Sequence, residues 1–148
     1  MYKRIMVATD GSDMAAKAVE HGVLLAKSVG AEVTFVTVTE SWSAFVIASD
    51  VEYGNISAVE KFEASAKDAA EKILDAAKKV AAAHDVQCNT RHVHDRLPAE
   101  GIVETAELEE CELIVMASHG RRGLSKMMLG SQTAEVLAVS KIPVLVLR

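Results

Sequence analysis

The sequence predicts an α/β domain in which an open, five-stranded parallel sheet carries helices on both faces. Five short apolar segments alternate with four amphipathic segments of helical period, with no linker, repeat or low-complexity stretch between them. Residues 113–117 are apolar throughout, which is the pattern of a parallel strand buried on both faces. Because 148 residues suffice for one core and not for two, we expect a single domain over residues 1–148.

The first predicted strand and helix lie at the start of the chain. A short apolar strand at residues 5–8 stops at a polar turn, and residues 14–29 carry Ala, Val and Leu at helical spacing. Ser12 or Asp13 can cap the N-terminus of this helix, and Gly30 suits its C-terminus. The strand and helix begin a β-α-β unit whose crossover should be right-handed.

A second strand and a long helix follow. Residues 33–38 are β-branched and aromatic, which favours a strand. Residues 40–55 fit neither period and hold much of the aromatic content, so they are predicted to cover a sheet edge, or to form a lid or partner surface. Ser57 can cap a helix that ends near His84. The apolar face of that helix is predicted to comprise Val59, Phe62, Ala66, Ala69, Ile73, Ala77 and Val80.

The third strand is predicted at a sheet edge, because residues 86–94 alternate but are too polar for a central position. Pro98 suits the first turn of the next helix. That helix carries the apolar residues Ile102, Val103, Ala106 and Leu108. After the strand at residues 113–117, a helix at residues 131–140 and a last strand at residues 144–147 complete the pattern. The last helix is expected to bury Ala134, Leu137 and Ala138.

The composition argues against several classes of protein. A formal net charge of −5 argues against broad nucleic-acid affinity, which needs a basic face. No apolar run approaches the ~20 residues of a membrane span, and the N-terminus enters a strand without a signal-peptide pattern. Cys88 and Cys111 are predicted to be free thiols. We therefore expect a cytoplasmic protein with neither a membrane nor a nucleic-acid partner.

The loop before the last helix is predicted to bind an anion. The fourth strand stops at small and polar residues, a basic glycine loop follows, and Gly130 and Ser131 open the helix. Unpaired N–H groups and the positive end of the helix dipole converge at such a terminus, which favours phosphate. Open α/β sheets bind ligands beyond the strand ends where the strand order reverses. Residues 8–10 and 117–120 would then line one crevice.

At these segments the sequence resembles the universal stress protein family, over its whole length. The matching stretches are Ile-Met-Val-Ala-Thr-Asp-Gly-Ser at residues 5–12, Ser-His-Gly-Arg-Arg-Gly at residues 118–123, Leu-Gly-Ser-x-Thr at residues 129–133 and Pro-Val-Leu-Val at residues 143–146. The ATP-binding branch of that family has the pattern Gly, two residues, Gly, nine residues, Gly, then Ser or Thr. No P-loop or dinucleotide fingerprint is present to support another nucleotide fold.

Ala117 is the one departure from that pattern. Gly120, Gly130 and Ser131 match it, whereas Ala117 stands where the first glycine is expected. If that glycine serves close approach to the ligand, one methyl group is tolerated. If it needs a positive φ, alanine costs on the order of 1 kcal/mol. We expect nucleotide binding to be weakened at most.

The resemblance implies a role for each residue of the site. Asp10 would face the nucleoside, and Val38 would meet the adenine with its backbone. The residues around the base and sugar would be Ala8, Thr9, Met116 and Ala117. Those holding the phosphates through N–H and hydroxyl donors would be Gly120, Gly130, Ser131, Gln132 and Thr133. Mobile positive charge would come from Arg121, Arg122 and Lys126.

For the whole protein, the resemblance implies the strand order 3-2-1-4-5 of adenine nucleotide alpha hydrolase-like folds. It also implies a homodimer that pairs the last strand with its twin, and a role in stress response or signalling. The ligand would be ATP or a related adenine nucleotide, with or without Mg²⁺. Two alternatives stay open, a slow ATPase and a nucleotide-free homodimer acting through protein contacts. No residue is assignable to orienting an attacking water, so hydrolysis is expected to be weak at most.

Some site residues also have simpler explanations. Asp10, Ser131 and Thr133 can be turn residues or helix caps, and the basic loop can be a solvated surface. Ser118 and His119 are adjacent and expected to point apart, which disfavours a hydrolytic triad with Asp10.

A metal site on the third strand is also disfavoured. Cys88, His92 and His94 share one face of that strand and are the residue types that bind zinc. A clear fourth ligand is missing from the sequence around them.

Overall fold

The computed structural model describes residues 1–40, 56–120 and 129–148, which contain the predicted parallel sheet. Its strands are β1 (Arg4–Ala8), β2 (Glu32–Thr39), β3 (Cys88–His94), β4 (Leu113–Ala117) and β5 (Val144–Leu147). Neighbouring strands are parallel and follow the order β3-β2-β1-β4-β5. The predicted strand order and the edge position of β3 are confirmed.

Helices cover both faces of this sheet. They are α1 (Asp13–Val29), α2 (Ile56–Ala83), α3 (Pro98–Leu108) and α4 (Ser131–Val139). Alternate residues of β1 belong to two different apolar cores, because successive side chains of a strand point to opposite faces of the sheet. Ile5 and Val7 pack with α1 and α2, whereas Met6 and Ala8 pack with α3 and α4.

The residues next to its ends determine where the first helix begins and stops. Ser12 is the N-cap of α1, and its Oγ accepts a hydrogen bond from the Ala15 N–H at 3.2 Å. Gly30 adopts φ 70° at the C-cap and donates its N–H to the Ala26 carbonyl. Pro98 occupies the first turn of α3, as predicted. The choice between Ser12 and Asp13 as the cap is settled in favour of Ser12.

Several burial predictions are wrong, and they share one cause. In α3 the apolar residues Ile102, Val103 and Ala106 are buried, whereas Leu108, for which no burial was predicted, is 83% exposed. In α4 the buried residues are Thr133 and Val136, whereas the residues predicted to be buried are exposed, namely Ala134, Leu137 and Ala138. Helical spacing shows that an apolar stripe exists, but the docking angle on the sheet decides which part of it is covered.

Helix α2 shows the same effect along its length. Its buried positions are Ala70, Leu74, Ala77 and Ala81. Phe62 and Ala69, which were predicted on the apolar face, are exposed. Ser57 lies within the helix and not before it. The aromatic segment predicted as a lid or edge cover, apart from Glu40, lies outside the described residues.

Candidate functional site

The carboxyl ends of the central strands open onto a cavity of about 640 Å³. The cavity lies beside β1, where the chain order of the sheet reverses between β2 on one side and β4 on the other. Cavities of this size and position hold small-molecule ligands in open α/β sheets. Every predicted site residue within the described ranges lines it: Ala8, Thr9, Asp10, Val38, Met116, Ala117, Gly120, Gly130, Ser131, Gln132 and Thr133. Arg121, like Arg122 and Lys126, lies outside those ranges.

Asp10 joins the loops that follow β1 and β4. Its Oδ1 accepts a hydrogen bond from the Ser12 N–H at 2.9 Å, which is the turn role expected of an aspartate at this place. Its Oδ2 lies against Gly120, where an added Cβ would come within 2.5 Å of it. The carboxylate therefore shapes the turn and lines the cavity at once.

The two matching glycines serve close approach and not a special backbone conformation. Among the described residues, the glycines with positive φ are Gly11 and Gly30. Gly130 has φ −58°, and its N–H donates to the Ser118 carbonyl at 2.8 Å. A Cβ on Gly130 would lie 3.1 Å from that same carbonyl oxygen. Glycine at position 130 lets the start of α4 pack against the end of β4.

Ala117 occupies the last position of β4 without strain. It pairs with Leu147 of β5 and is not among the described residues with positive φ. An extended strand conformation is open to any L residue. The methyl group is buried and lies in the cavity wall, so alanine here has no conformational cost.

The N-terminus of α4 has the features of an anion site. Its N-cap is Gly130, with no side-chain capping bond, so the prediction that the Ser131 hydroxyl caps the helix is wrong. The first helical hydrogen bond runs from Ala134 N–H to the Gly130 carbonyl. The N–H groups of residues 131–133 consequently precede any helical acceptor, and no acidic side chain lies in this first turn.

The Thr133 hydroxyl, which was predicted to face the phosphates, has a hydrogen-bond partner within the protein. Its side chain is 3% exposed and its hydroxyl donates to the carbonyl of Ala117 at 2.9 Å, with the Ser118 carbonyl 3.3 Å away. A hydroxyl carries a single proton, so in this conformation it fastens α4 to β4. Only the backbone N–H of Thr133 is then left for a phosphate.

Ser118 and His119 lie closer together than predicted. The Ser118 Oγ and His119 Nδ1 atoms are 2.7 Å apart, so the expectation that these side chains point apart is wrong. The chain bends at Ser118 directly after β4, which ends the alternation of an extended strand. Ser118 is nevertheless only 1% exposed, which is incompatible with attack on a substrate. The second ring nitrogen of His119 is buried and has no partner among the described residues.

One wall of the cavity comes from helices that the motifs did not indicate. Phe62, Ala66, Ala69 and Ile73 of α2 line it, together with Pro98 and Ile102 of α3. The only signal in the sequence was the apolar stripe on α2, which helical spacing assigns equally well to the core. The helix therefore lines the cavity over residues 62–73 and packs into the core over residues 70–81.

The histidines of β3 belong to a different neighbourhood. The Nε2 atom of His92 lies 2.9 Å from the Thr39 Oγ1 atom, and the His92 and His94 ring centres are 5.8 Å apart. Burial lowers the pKa of His92, and His94 lowers it further. In residues 1–40, 56–120 and 129–148 no three His, Cys, Asp or Glu side chains are grouped so as to hold a metal ion.

An open parallel sheet with a cavity at its switch point and an uncapped helix N-terminus in the cavity wall is the architecture of α/β proteins that bind small anionic ligands. Comparison with known proteins identifies the family. The chain belongs to the universal stress protein family, whose family model matches residues 1–148.

Individual relatives agree with this assignment. Universal stress protein YxiE of Bacillus subtilis is 36% identical over 151 residues, covering all of both chains. Universal stress protein MJ0531 of Methanocaldococcus jannaschii is 32% identical over 148 residues, which is the whole of this chain and 83% of that one.

Solved structures show the same fold. The structure of MJ0577, a universal stress protein of Methanocaldococcus jannaschii, matches with a TM-score of 0.78 at 28% identity, over 99% of this chain and 96% of that one. A universal stress protein in complex with cAMP matches with a TM-score of 0.69 at 24% identity, over 99% and 97% of the two chains. None of the helices among the described residues combines the length and the hydrophobicity of a membrane span.

Proposed function

We propose that this protein binds ATP or a related adenine nucleotide and acts as a regulatory module in stress response or signalling. The observation that carries the proposal is the composition of the cavity. One end, beside β4, holds the free N–H groups at the start of α4, and the other end, beside β2, is apolar at Val38. Phe62 and Ile102 add apolar surface to the cavity wall. Phosphates suit the first end and a planar base suits the second.

Asp10 would face the sugar between these two ends. A carboxylate accepts hydrogen bonds and has none to donate when ionised, which suits ribose hydroxyls and not phosphates. The structure of a relative with cAMP shares this fold at 24% identity, which supports the architecture alone. The choice of an adenine nucleotide therefore depends on the cavity of this chain together with the family motif at Gly120, Gly130 and Ser131.

The first test identifies what the protein carries. Freshly purified protein is denatured, and the released small molecules are analysed by chromatography and mass spectrometry. We expect ATP or ADP in near-stoichiometric amount, or, failing that, heat on titration of the stripped protein with ATP and Mg²⁺. Neither released nucleotide nor heat would reject nucleotide binding and favour the nucleotide-free homodimer.

We propose binding, and not turnover, as the working event. Hydrolysis requires a positioned water. The Ser118 hydroxyl is buried beside His119, and none of the described residues is assigned to orienting a water. We expect weak hydrolysis at most. Phosphate release that scales with protein concentration and disappears in the Gly130→Val variant would instead establish an ATPase.

We also propose a homodimer formed through β5 and the outer side of α4. Leu137, Val139 and Leu145 are 44%, 54% and 40% exposed and give this side an apolar character. Such a patch next to an edge strand favours association with a second copy. Sedimentation should show a dimer that Leu137→Glu dissociates. The matched control is Leu24→Glu on α1, which changes a leucine of the same 44% exposure, and a monomeric wild-type protein would reject the dimer.

A cytoplasmic location is part of the same proposal. Cys88 and Cys111 are both free thiols, which suits a reducing compartment. Fractionation of cells that express the tagged chain tests it, and recovery in a membrane or extracellular fraction would reject it.

A further inference from the structure

Two helices, α3 and α4, begin at the same wall of the cavity, and neither has a capping side chain of its own. The N-cap of α3 is Leu97 and that of α4 is Gly130, and neither makes a side-chain capping bond. The first turns of both helices line the cavity through Pro98 and residues 130–133. The orphan N–H groups of each helix therefore need partners from elsewhere.

Gln132 supplies the partner for α3. Its Oε1 accepts a hydrogen bond from the Ala99 N–H at 3.2 Å, so a side chain of α4 caps the neighbouring helix. A backbone N–H can only donate, which fixes the orientation of the Gln132 amide. The oxygen faces Ala99, and the NH₂ group, which lies in the same plane, points away from it. Gln132 is half-buried and lines the cavity.

The NH₂ group adds a side-chain donor to the anion end. In the first turn of α4 the Thr133 hydroxyl is already engaged with the Ala117 carbonyl. Gln132 has no such engagement for its nitrogen among the described residues. A neutral amide donor next to the backbone N–H groups of residues 131–133 suits a phosphate oxygen.

The Gln132 oxygen also connects the anion end to the apolar end. Helix α3 is seated closely on β2, since a Cβ on Gly101 would lie 2.9 Å from the Val38 Cγ1 atom. Ile102, the next residue of α3, lies in the cavity wall. Losing the bond to Ala99 would loosen the helix that shapes this wall.

We propose that Gln132 is a specificity residue of the site. Its NH₂ group contacts the phosphates, and its oxygen positions α3, so that the site selects phosphorylated nucleosides over unphosphorylated ones. This inference depends on the proposed nucleotide function.

Two substitutions of Gln132 distinguish the phosphate contact of its NH₂ group from the positioning of α3 by its oxygen. Gln132→Glu keeps an oxygen for Ala99 but replaces the donor with a negative charge, so ATP affinity should fall about tenfold or more. Adenosine affinity should change less than about twofold, because adenosine carries no charge for the carboxylate to repel. Gln132→Met removes both functions and should weaken ATP and adenosine alike. The matched control is Ala134→Glu, which adds the same charge to the same turn at an exposed position outside the cavity lining.

Titration calorimetry measures both affinities, and hydrogen exchange at the Ala99 N–H gives a readout that needs no ligand. That N–H should exchange slowly in the wild type and in Gln132→Glu, and faster in Gln132→Met. Wild-type ATP affinity in Gln132→Glu, or the same loss in Ala134→Glu, would overturn the phosphate contact. Unchanged Ala99 exchange in Gln132→Met would overturn the positioning role. A wild-type protein that binds no nucleotide would reject the proposed function and the phosphate contact, while Ala99 exchange would still decide the positioning role.

Discussion

The backbone of Gly120 lies against the carboxylate of Asp10, so that a Cβ on Gly120 would come within 2.5 Å of the Asp10 Oδ2 atom. The other carboxylate oxygen accepts the Ser12 N–H at 2.9 Å. The loops after β1 and β4 are thus packed together at the switch point of the sheet. A side chain at position 120 would have to displace the Asp10 carboxylate.

Gly120→Ala should therefore displace Asp10. A methyl group cannot be placed there while the Asp10 carboxylate stays where it is, so the aspartate should move away from its proposed position facing the ligand. We expect ATP affinity to fall about tenfold or more, measured by calorimetry. Unchanged affinity would mean that Asp10 does not contact the ligand.

Ala117→Gly restores the family motif and should gain little. Ala117 sits in regular strand conformation, so glycine relieves no strain, and ATP affinity should stay within about threefold of the wild type. Glycine inside a strand should lower the free energy of unfolding by roughly 0.5–1 kcal/mol, measured by urea unfolding. A gain in affinity of about tenfold or more would show that the methyl group obstructs the ligand.

Substitutions at Gly130 should affect the packing of α4 as well as binding. A Cβ at this position meets the Ser118 carbonyl at 3.1 Å and lies 3.5 Å from the His119 Cα atom, so it points toward the backbone after β4. Gly130→Ala should need a small shift, whereas Gly130→Val should cost about 1–3 kcal/mol in the free energy of unfolding. ATP affinity should fall in the same order. Equal urea midpoints for Val, Ala and wild type would contradict this packing.

The two cysteines should differ in reactivity. Burial, with a smaller contribution from the neighbouring Glu109, raises the pKa of the Cys111 thiol to about 11. Only the thiolate reacts. Iodoacetamide at about pH 8 should therefore label half-buried Cys88 first and Cys111 only after denaturation, as judged by mass spectrometry. The control is Cys88→Ser, in which native protein should take up almost no label.

His92 should make stability fall in mild acid. Burial and His94 lower its pKa from the ordinary 6.5, Lys67 acts in the same direction, and Glu71 opposes them. Between the folded pKa and 6.5 the unfolded chain binds a proton that the folded protein does not, so the free energy of unfolding decreases as pH falls through this window. Urea unfolding at about pH 7.5 and about pH 5.5 should show a smaller difference in His92→Gln than in the wild type. A His92 ring that titrates above 6.5 by NMR would contradict the sign.

Local patterns were enough to predict the architecture. Hydrophobic period located the strands and helices of the described residues, and cap chemistry indicated Ser12 or Asp13 for the start of α1 and Gly30 for its end. The motif glycines and Asp10 were assigned to one crevice because parallel strands end at a common edge. These features depend on neighbours within a few residues, which the sequence displays directly.

Contacts between segments that are far apart in the chain could not be predicted from those patterns. Helical spacing could not tell that Phe62 lines the cavity or that Leu137 stays exposed, because both depend on how a helix docks. Because the chain bends at Ser118, the side chains of Ser118 and His119 are within hydrogen-bonding distance and do not point apart as expected.

The sequence alone thus determined the order of strands and helices, the parallel sheet and the family motif. Each of these depends on hydrophobic periodicity or on the spacing of residues that are close in the chain. Tertiary structure alone decided what those residues touch. Thr133 binds the Ala117 carbonyl, Gln132 caps α3, and Gly120 makes room for Asp10. Each of these contacts joins segments far apart in the chain, and close packing is what brings them within hydrogen-bonding or van der Waals distance.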